Sequence, residues 1–391
     1  MATFKLALFT GNYNHIKDGV SLTLNRLVCF LEAHDVEVLV FGPTVDKPAI
    51  DHAGTLVPVP SVAAPGREEY RISIFLPEVQ RQQLLNFKPD LIHIATPDIL
   101  GFIALRIASR YNIPVVSSYH THFTSYLKYY NLSILEPLLW KYIFWFYRKC
   151  NKVFVPSESM IKWLINNGMD AGNMDIWTRG IEADLFKPQR RNLEWRRSVG
   201  IEDDEVVYTF VSRLVWEKAL RTVIDVFKEV KKQRPKSKFL IVGSGPAEEE
   251  LKREFPEAYY TGHLFGDELA EAYASGDVFF FPSDTESFGN VTLEAMASGL
   301  PAVVADAVGS KSLVEHGVNG FICEPGNIAE FSGYLVNLYD DETLRTKMGQ
   351  ESLEKSKHYE WKNVMGKLLV DYKKVLVNEG RMVGNFKFLI S

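Results

Sequence analysis

The chain has 391 residues, of which 46% are hydrophobic and 24% are charged. This balance is typical of a soluble globular protein and excludes a fibrous or disordered one, and the length favours two domains of roughly 150–200 residues each. The formal net charge of −5 and the isoelectric point of about 6.0 disfavour nucleic acid as a partner, because that would require a basic face.

The spacing of the cysteines and the lengths of the apolar runs narrow the class of protein further. Cys29, Cys150 and Cys323 are widely separated, so neither a disulfide framework nor a zinc site is expected, and a reducing compartment fits best. The opening MATFKLALFTGNY lacks the features of a signal peptide, and the apolar stretches fall short of the roughly 18–20 residues that span a bilayer. We therefore predict a cytoplasmic location.

The first half of the chain alternates short β-rich runs with helical patterns. The β-rich runs are FKLALFT, VEVLVFG, DLIHIAT, PVVSSYH and KVFVPS, and a helical pattern from Leu22 to Ala33 follows the first of them. Strands that alternate with helices predict a parallel sheet. The loop after the first strand, GNYNHIKDGVSLTL, places Gly19 before the helix and predicts Ser21 as its N-cap.

Two further segments of the first half carry candidate functional residues. The run VVSSYHTHF places His120 and His122 just past a strand end, where ligands of open α/β sheets bind; for each, a structural histidine is the alternative. The stretch from Tyr126 to Lys152 combines aromatic bodies with cationic ends, as in a membrane interface, although a nearly continuous apolar pattern is also typical of a buried helix. The candidate membrane or acceptor contacts are Tyr126, Lys128, Trp140, Lys141, Trp145 and Arg148.

The polar segment DIWTRGIEADLFKPQRR separates the two halves, and its Gly180 and Pro188 suit a linker. It predicts one domain over residues 1–178 and another over residues 179–360. The second half repeats the β-α alternation, with β-rich runs VVYTFVSRL, KFLIVGSG, YYTGH, DVFFFPS, PAVVAD and GFICEP. Helical patterns cover about residues 221–232 and roughly residues 361–378. The run KKQRPKSK, between the first two β-rich runs of this half, is interpreted as a solvated helix end and turn.

The most informative stretch is DVFFFPSDTESFGNVTLEAMASGLPAVVAD, which predicts strand, loop, helix and strand. Asn290 is expected to cap the helix, whose N-terminus offers free amides and a positive dipole end to a phosphate. Glu294, one turn into the helix, and Glu286, in the loop before it, would repel a phosphate but suit sugar and ribose hydroxyls. The alternative is that both are merely solvated charges.

A second stretch, YTFVSRLVWEKALRT, places Arg213 and Lys218 between a buried strand and a helix. Fixed cations there can stabilise the charge that develops on a departing diphosphate without a metal. The alternatives are surface pairing with Glu217 or Glu205, and a Mg²⁺ site at Asp284-Thr-Glu286. No G-x-G-x-x-G fingerprint occurs, since GSGP lacks the third glycine, which weakens a nicotinamide-dependent oxidoreductase.

The combination of ESFGNVTLEAMASGLPAVV with SRLVWEK resembles the retaining GT-B glycosyltransferases of family 4, and the likeness extends over nearly the whole chain. It implies an α/β fold of two Rossmann-like domains whose parallel sheets face each other across a cleft. A C-terminal helix within about residues 361–391 would return to the first domain. The implied enzyme is a hexosyltransferase that needs no metal or other cofactor, with a UDP- or GDP-linked sugar as its donor substrate.

The resemblance also implies roles for individual residues. Glu294 would bind the ribose, Glu286 the donor sugar, and Arg213 with Lys218 the diphosphate. Further donor contacts are implied at Gly19, Ser212, Phe288, Gly289, Asn290 and Val291, and His120 would contact the sugar near the reacting carbon. The sequence departs from many relatives at Ser212 and Ala219, where glycine is common.

The nearest likeness is to members that glycosylate lipids, including sulfoquinovosyl, glucosyl and mannosyl transferases acting on diacylglycerol or phosphatidylinositol. It implies a lipid acceptor and peripheral association with the inner face of an anionic membrane. A soluble or polysaccharide acceptor, a sugar-nucleotide epimerase of the same fold and a non-catalytic sensor of nucleotide sugars are the alternatives.

Overall fold

The computed structural model describes residues 3–65, 67–119, 136–170, 172–286 and 288–381. The chain divides into two compact units. The first comprises Met1–Pro156, Ile161–Trp177 and Met365–Ser391, and the second comprises Ser157–Met160 and Thr178–Val364. Each unit is an α/β domain built on a parallel sheet, which confirms the predicted fold class.

The first unit contains a seven-stranded sheet of order β3-β2-β1-β6-β7-β8-β9, with a separate hairpin of β4 and β5. The strands are β1 Phe4–Phe9, β2 Val36–Gly42, β3 Thr55–Pro58, β4 Val62–Ala64, β5 Arg67–Ile72, β6 Leu91–Ile94, β7 Val115–Ser118, β8 Lys152–Val155 and β9 Met174–Ile176. The helices are α1 Gly19–Glu32, α2 Glu78–Phe87, α3 Ile99–Tyr111, α4 Glu136–Arg148 and α5 Glu158–Asn166, the last of which begins in the second unit and enters the first at Ile161.

The second unit contains a six-stranded parallel sheet of order β12-β11-β10-β13-β14-β15. Its strands are β10 Val207–Val211, β11 Lys238–Val242, β12 Tyr259–Gly262, β13 Val278–Phe281, β14 Ala302–Ala305 and β15 Gly320–Cys323. Its helices are α6 Leu193–Ser198, α7 Leu220–Gln233, α8 Glu248–Glu254, α9 Gly266–Ala274, α10 Asn290–Ala297, α11 Ile328–Asp340 and α12 Glu342–Lys357. The last helix, α13 Trp361–Asn378, begins in this unit and continues into the first.

The central strands of both sheets are buried along their whole length, as expected for parallel strands that have helices on both faces. The strand order reverses between β10 and β13, which pair through Tyr208 with Val278 and Thr209 with Phe279. Open α/β sheets bind ligands beyond the carboxyl ends of the strands at such a switch point. This position is where the sequence places its two most informative loops.

The final helix is part of the first unit over most of its length, as the resemblance implied. The Tyr372 hydroxyl lies 2.6 Å from Nδ1 of His93 on β6, and both side chains are fully buried. Lys367 donates to the carbonyl of Ile176 at 2.9 Å. The helix is therefore held to the sheet of the first unit by one buried and one exposed hydrogen bond as well as by apolar packing.

Two predicted helix caps are wrong by a few residues. The N-cap of α1 is Asp18, and Ser21 is the third residue of a capping box: its amide donates to the Asp18 carboxylate at 2.7 Å. The N-cap of α10 is Gly289, with a left-handed φ of 93°, and Asn290 is the first helical residue. Glycine takes this position because a side chain is disfavoured at such a φ, a constraint that outweighs the capping preference of asparagine.

The described residues contain neither a membrane-spanning helix nor a metal-binding cluster. No helix among them combines the length and apolarity that a membrane crossing requires. No group of three or more His, Cys, Asp or Glu side chains among them is clustered so that it could hold a metal ion.

Candidate active site

The loop after β10 and the loop after β13 meet at the switch point of the second sheet. The amine of Lys218 lies 2.5 Å from Oε1 of Glu286, and these side chains are only 19% and 22% exposed. Lys218 also lies 3.4 Å from the Thr285 hydroxyl. The structure thus brings together a predicted diphosphate ligand and a predicted sugar ligand that are 68 residues apart in sequence.

Backbone geometry fixes the position of Lys218. It is the last residue of a 3₁₀ turn, Trp216–Lys218, and its amide donates to the carbonyl of Val215 at 2.9 Å. The next residue, Ala219, has a left-handed φ of 55° and caps both this turn and α7. A left-handed conformation costs a non-glycine residue roughly 1–2 kcal/mol, so glycine would suit this position better than alanine.

Arg213 forms the surface ion pair that was weighed as its alternative interpretation. Its guanidinium lies 2.9 Å from the carboxylate of Glu217, and the two side chains are 68% and 61% exposed. Pairs this exposed contribute little to stability, so the guanidinium is free to exchange its partner for a ligand at small cost. Arg213 also lines the cavity described next.

A cavity of about 580 Å³ opens beside these loops in the second unit. Ser212, Arg213, Val291 and Glu294 lie in its wall, so four predicted donor-site residues share one cavity. The rest of the wall consists of Val211, Val242, Gly243, Ser244, Gly245, His263, Leu264 and Leu269. Its volume is within the range of small-molecule sites, and its mixture of apolar wall and few polar groups is typical of them.

The floor of the cavity depends on two glycines that sequence reasoning set aside. A Cβ placed on Gly243, where φ is 132°, would lie 1.8 Å from the carbonyl oxygen of Ser212. A Cβ placed on Gly245 would lie 2.3 Å from the carbonyl oxygen of Leu214. The loops after β10 and β11 therefore touch backbone to backbone. The GSGP run is the sequence signal for this close approach, although it does not match the dinucleotide fingerprint.

Glu294 is half-buried on α10, and its Oε2 accepts a hydrogen bond of 2.9 Å from the hydroxyl of Tyr273 on α9. Burial raises the pKa of the Glu294 carboxyl to about 7, and the hydrogen bond from Tyr273 acts in the opposite direction. The predicted ribose ligand therefore titrates near neutral pH. Tyr273 and His263 are site residues that the sequence analysis missed, because no local pattern marks them.

The remaining predicted donor contacts follow β13. Phe288 is buried, and its ring lies 6.1 Å from that of Tyr359. A ligand could therefore contact its backbone but not its side chain. Gly289 and Asn290 begin α10, and no described side chain caps its first amides. A Cβ on Gly309 would lie 2.6 Å from the Glu286 carbonyl oxygen, so Gly309 lets this loop pack closely.

The first unit holds the other predicted residues. Gly19 is the first residue of α1, and the space where its side chain would be is open. His120, Tyr126 and Lys128 lie outside the described residues, as does His122. No geometry is therefore assigned to the predicted sugar contact of His120.

Helix α4 is amphipathic rather than buried all round. Ile143, Phe146 and Tyr147 are buried, whereas Leu138 is 66% exposed and Trp145 is 42% exposed. Lys141, Trp145 and Arg148, with Phe144 and Lys149, line a surface groove of about 390 Å³. Trp140 is half-buried against the rings of Phe144 at 5.2 Å and Trp163 at 5.6 Å. The alternative of a fully buried helix is wrong for the described residues.

The run KKQRPKSK lies on the surface at the end of α7, as predicted. Lys232 pairs with Glu229 at 3.1 Å, and Arg234 pairs with Asp340. Lys238, at the start of β11, lies 3.3 Å from Glu205. These cations have carboxylate partners away from the cavity.

The sequence matches two family models. The model described as glycosyl transferases group 1 matches residues 192–355. The model described as Glycosyltransferase Family 4 matches residues 17–185. Between them the two matches cover most of both units.

Full-length relatives agree with these matches. The sulfoquinovosyl transferase SQD2 of Arabidopsis thaliana is 32% identical over 357 residues, which are 90% of this chain and 69% of that protein. A GDP-mannose-dependent alpha-mannosyltransferase of Corynebacterium glutamicum is 29% identical, with 96% of this chain and 89% of that protein covered. An alpha-monoglucosyldiacylglycerol synthase of Streptococcus pneumoniae is 29% identical, with 76% and 70% covered.

Solved structures match at lower identity. Sucrose-phosphate synthase from Thermosynechococcus elongatus superimposes with a TM-score of 0.74 at 19% identity, covering 96% of this chain and 100% of that one. Anabaena Alr3699/HepE in complex with UDP gives a TM-score of 0.73 at 18% identity, covering 95% and 100%. At these identities the likeness concerns the fold alone.

Proposed function

The chain belongs to the GT-B glycosyltransferases of group 1 and family 4 and is a hexosyltransferase, and from this premise we propose that it transfers its hexose with retention of configuration and without a metal. The donor is a nucleotide-diphosphate sugar, and the acceptor is a hydroxyl of a membrane lipid such as diacylglycerol. The observation that carries the proposal is the pairing of Lys218 with Glu286 beside the cavity that Glu294 lines.

The charges of the site fall into two groups, one that matches the diphosphate of such a donor and one that matches the hydroxyl-bearing ribose and sugar on either side of it. Lys218 and Arg213 are cations beside the cavity, and each forms an ion pair with a carboxylate that a phosphate can replace. Glu286 and Glu294 are hydrogen-bond acceptors suited to sugar and ribose hydroxyls. UDP is bound by HepE, whose fold this chain shares, which supports a nucleotide as the occupant of the cavity.

The proposed reaction needs no protein nucleophile. The bond between the anomeric carbon and the β-phosphate oxygen breaks, and the acceptor hydroxyl oxygen forms a new bond to that carbon from the same face. The departing phosphate oxygen takes the hydroxyl proton, so the products are a glycoside and a nucleoside diphosphate. Lys218 and Arg213 stabilise the charge that develops on the leaving diphosphate, which is the role that fixed cations perform best in a site of restricted water access.

The proposed metal independence is supported by the contact of Lys218. Its ammonium lies against the carboxylate of Glu286, which is one of the two oxygen ligands that a Mg²⁺ site at Asp284 and Glu286 would use. An ammonium and a divalent cation repel each other at such a distance.

The lipid acceptor is supported by the name of one relative and by one surface. That relative is the alpha-monoglucosyldiacylglycerol synthase of Streptococcus pneumoniae. The exposed face of α4 presents Leu138 and Trp145 together with the cations Lys141 and Arg148, as do helices that lie in the interface of anionic membranes. We propose that this face holds the protein peripherally on the membrane that supplies the acceptor.

The donor and acceptor are tested by one panel. Purified protein is incubated with UDP-glucose, UDP-sulfoquinovose, UDP-glucuronate or GDP-mannose, and with vesicles that contain diacylglycerol. We expect one donor to yield a glycolipid with the anomeric configuration of the donor, and EDTA to leave the rate unchanged. Isomerised donor without acceptor would instead indicate an epimerase, and nucleotide binding without any transfer would indicate a sensor.

Lys218→Ala tests whether Lys218 stabilises the leaving diphosphate. Lys238→Ala is the matched control, because it also removes a lysine that is paired with a carboxylate in the same unit. We expect the first variant to lose at least about a hundredfold in turnover, as removal of one transition-state ligand typically does, and the second to retain activity. Equal turnover in the two variants would refute the assignment.

Membrane attachment is tested by a charge reversal. Lys141→Glu combined with Arg148→Glu should weaken sedimentation with anionic vesicles at low salt, whereas Lys232→Glu, on an exposed part of α7, should not. Equal binding of both variants would place the membrane contact elsewhere, and no binding of the unmodified protein would favour a soluble acceptor.

A further inference from the structure

Tyr273 lies at the end of α9, one residue before the helix ends, and it is fully buried. Its ring meets that of Phe186 edge-on at 5.8 Å and lies 6.1 Å from that of Phe279. Its hydroxyl is 2.9 Å from Oε2 of Glu294. Packing against two aromatic neighbours restricts the buried ring, and its hydroxyl is directed at Glu294.

The hydrogen bond leaves the rest of the Glu294 carboxylate directed to the cavity. Glu294 lies in the cavity wall, and no other hydrogen bond to its carboxylate is made by the residues that the structure describes. A carboxylate offers about four acceptor positions. With Oε2 tethered, Oε1 is the oxygen placed for a ligand.

The surroundings of Glu294 contain few charges. Arg213, after β10, and His263, after β12, are the other titratable side chains in the cavity wall. Strands β13 and β14 contribute only apolar side chains, and the buried positions of α12, which packs on α10, are Met348, Gly349, Ser352 and Ser356. On α9, Glu271 accepts from Asn192 at 3.1 Å. Tyr273 is therefore the neighbour that fixes the carboxylate.

We infer that Tyr273 is a positioning residue for the donor: its hydroxyl orients the Glu294 carboxylate and favours the ionised form that accepts hydrogen bonds from the ribose hydroxyls. The inference rests on the proposed function, because it takes the ribose of the donor as the ligand of Glu294. The inference adds Tyr273 of α9 to a ribose site that otherwise consists of Glu294 on α10. It also means that Tyr273 influences how donor binding depends on pH.

The direction of the pH effect follows from the hydrogen bond. A donor to a carboxylate favours its ionised form, and here it opposes the rise in the Glu294 pKa that burial causes. Removal of the hydroxyl leaves burial unopposed and raises the pKa further above about 7. At neutral pH the variant would hold more protonated Glu294 than the unmodified protein, and this difference shrinks as the pH rises toward about 9.

The experiment compares Tyr273→Phe with Tyr208→Phe. Tyr208 is the matched control: it is fully buried in the same unit, and its hydroxyl also makes one hydrogen bond of 2.9 Å, to the carbonyl of Leu335. Calorimetry measures the Kd of UDP, of GDP and of their 2′,3′-dideoxy analogues at several pH values between about 6 and 9. The dideoxy nucleotides lack the hydroxyls that Glu294 would bind, so they report every other effect of the substitution.

We expect Tyr273→Phe to weaken UDP or GDP binding about tenfold near pH 7 and less than about threefold near pH 9, as a hydrogen bond to a charged group predicts. Binding of the dideoxy nucleotides should change less than about twofold, and Tyr208→Phe should change neither. Equal effects of Tyr273→Phe on both kinds of nucleotide, or a loss that does not depend on pH, would overturn the inference. If the unmodified protein binds neither UDP nor GDP, the proposed function itself fails, which is a separate result.

Discussion

The ion pair between Lys218 and Glu286 must open before a diphosphate can bind, and Glu286→Gln measures the energy of that step. The variant keeps the size of the side chain and removes the charge that holds Lys218. UDP or GDP is the right probe because neither carries the sugar that Glu286 is proposed to bind. We therefore expect the variant to bind the nucleoside diphosphate more tightly than the unmodified protein.

The magnitude follows from the burial of the pair. Fully exposed ion pairs contribute roughly 0.2–1 kcal/mol, and this pair, about four-fifths buried on both sides, belongs at the upper end of that range. About 1 kcal/mol corresponds to a roughly fivefold lower Kd. Transfer from the complete donor should fall in the same variant, because a neutral amide accepts sugar hydroxyls less strongly than a carboxylate.

Calorimetry of UDP and GDP checks the first expectation, and a steady-state transfer assay checks the second. Glu217→Gln is the control, since it neutralises the exposed partner of Arg213 and should alter the Kd less than about twofold. An unchanged or higher Kd for Glu286→Gln would show that Lys218 binds phosphate without releasing Glu286, and the reasoning would be refuted.

Three further predictions concern the site and its scaffold. Ala219→Gly should raise the free energy of unfolding in urea by about 0.5 kcal/mol, because relief of the left-handed strain at φ 55° exceeds the entropy cost of glycine; a decrease would show that Ala219 is unstrained. The affinity for UDP or GDP should rise from about pH 6 to about pH 8, as Glu294 with its pKa of about 7 loses its proton, and this rise should vanish in Glu294→Gln. Tyr372→Phe should lower the free energy of unfolding of the first unit by about 1–2 kcal/mol by leaving His93 without one buried partner, whereas a loss below about 0.3 kcal/mol would mean that the contact is not formed.

Sequence patterns predicted the fold and the two loops of the site because the relevant signals are local. The alternation of strands and helices, the buried run before Arg213 and the strand, loop and helix around Glu286 are all continuous in sequence. The pairing of Lys218 with Glu286 could not be predicted, since it depends on the adjacency of β10 and β13, which the chain separates by two intervening strands. The same holds for Tyr273, an aromatic residue in a helix whose pattern marks it only as part of the core.

The misplaced caps have a different cause. A preference for Ser and Asn at the N-cap is statistical, and at α10 the backbone angle of Gly289 decides the helix start instead. At α1, Asp18 is the N-cap of the capping box and Ser21 is its N3 residue. The capping signal is therefore present in the sequence, but the prediction assigns the N-cap role to Ser21 instead of Asp18.

The contact between His93 and Tyr372 joins residues 279 positions apart in the chain. During synthesis, β6 and its neighbours leave the ribosome long before α13 exists, so the first unit must wait for the entire second unit before His93 can bury its ring against the last helix. Such long-range closure is slow relative to local folding. The second unit, continuous over Thr178–Val364 apart from one short segment, has no comparable wait. The half of the enzyme that is made first is therefore the half that is finished last, and a premature stop before residue 365 would damage the domain at the other end of the chain.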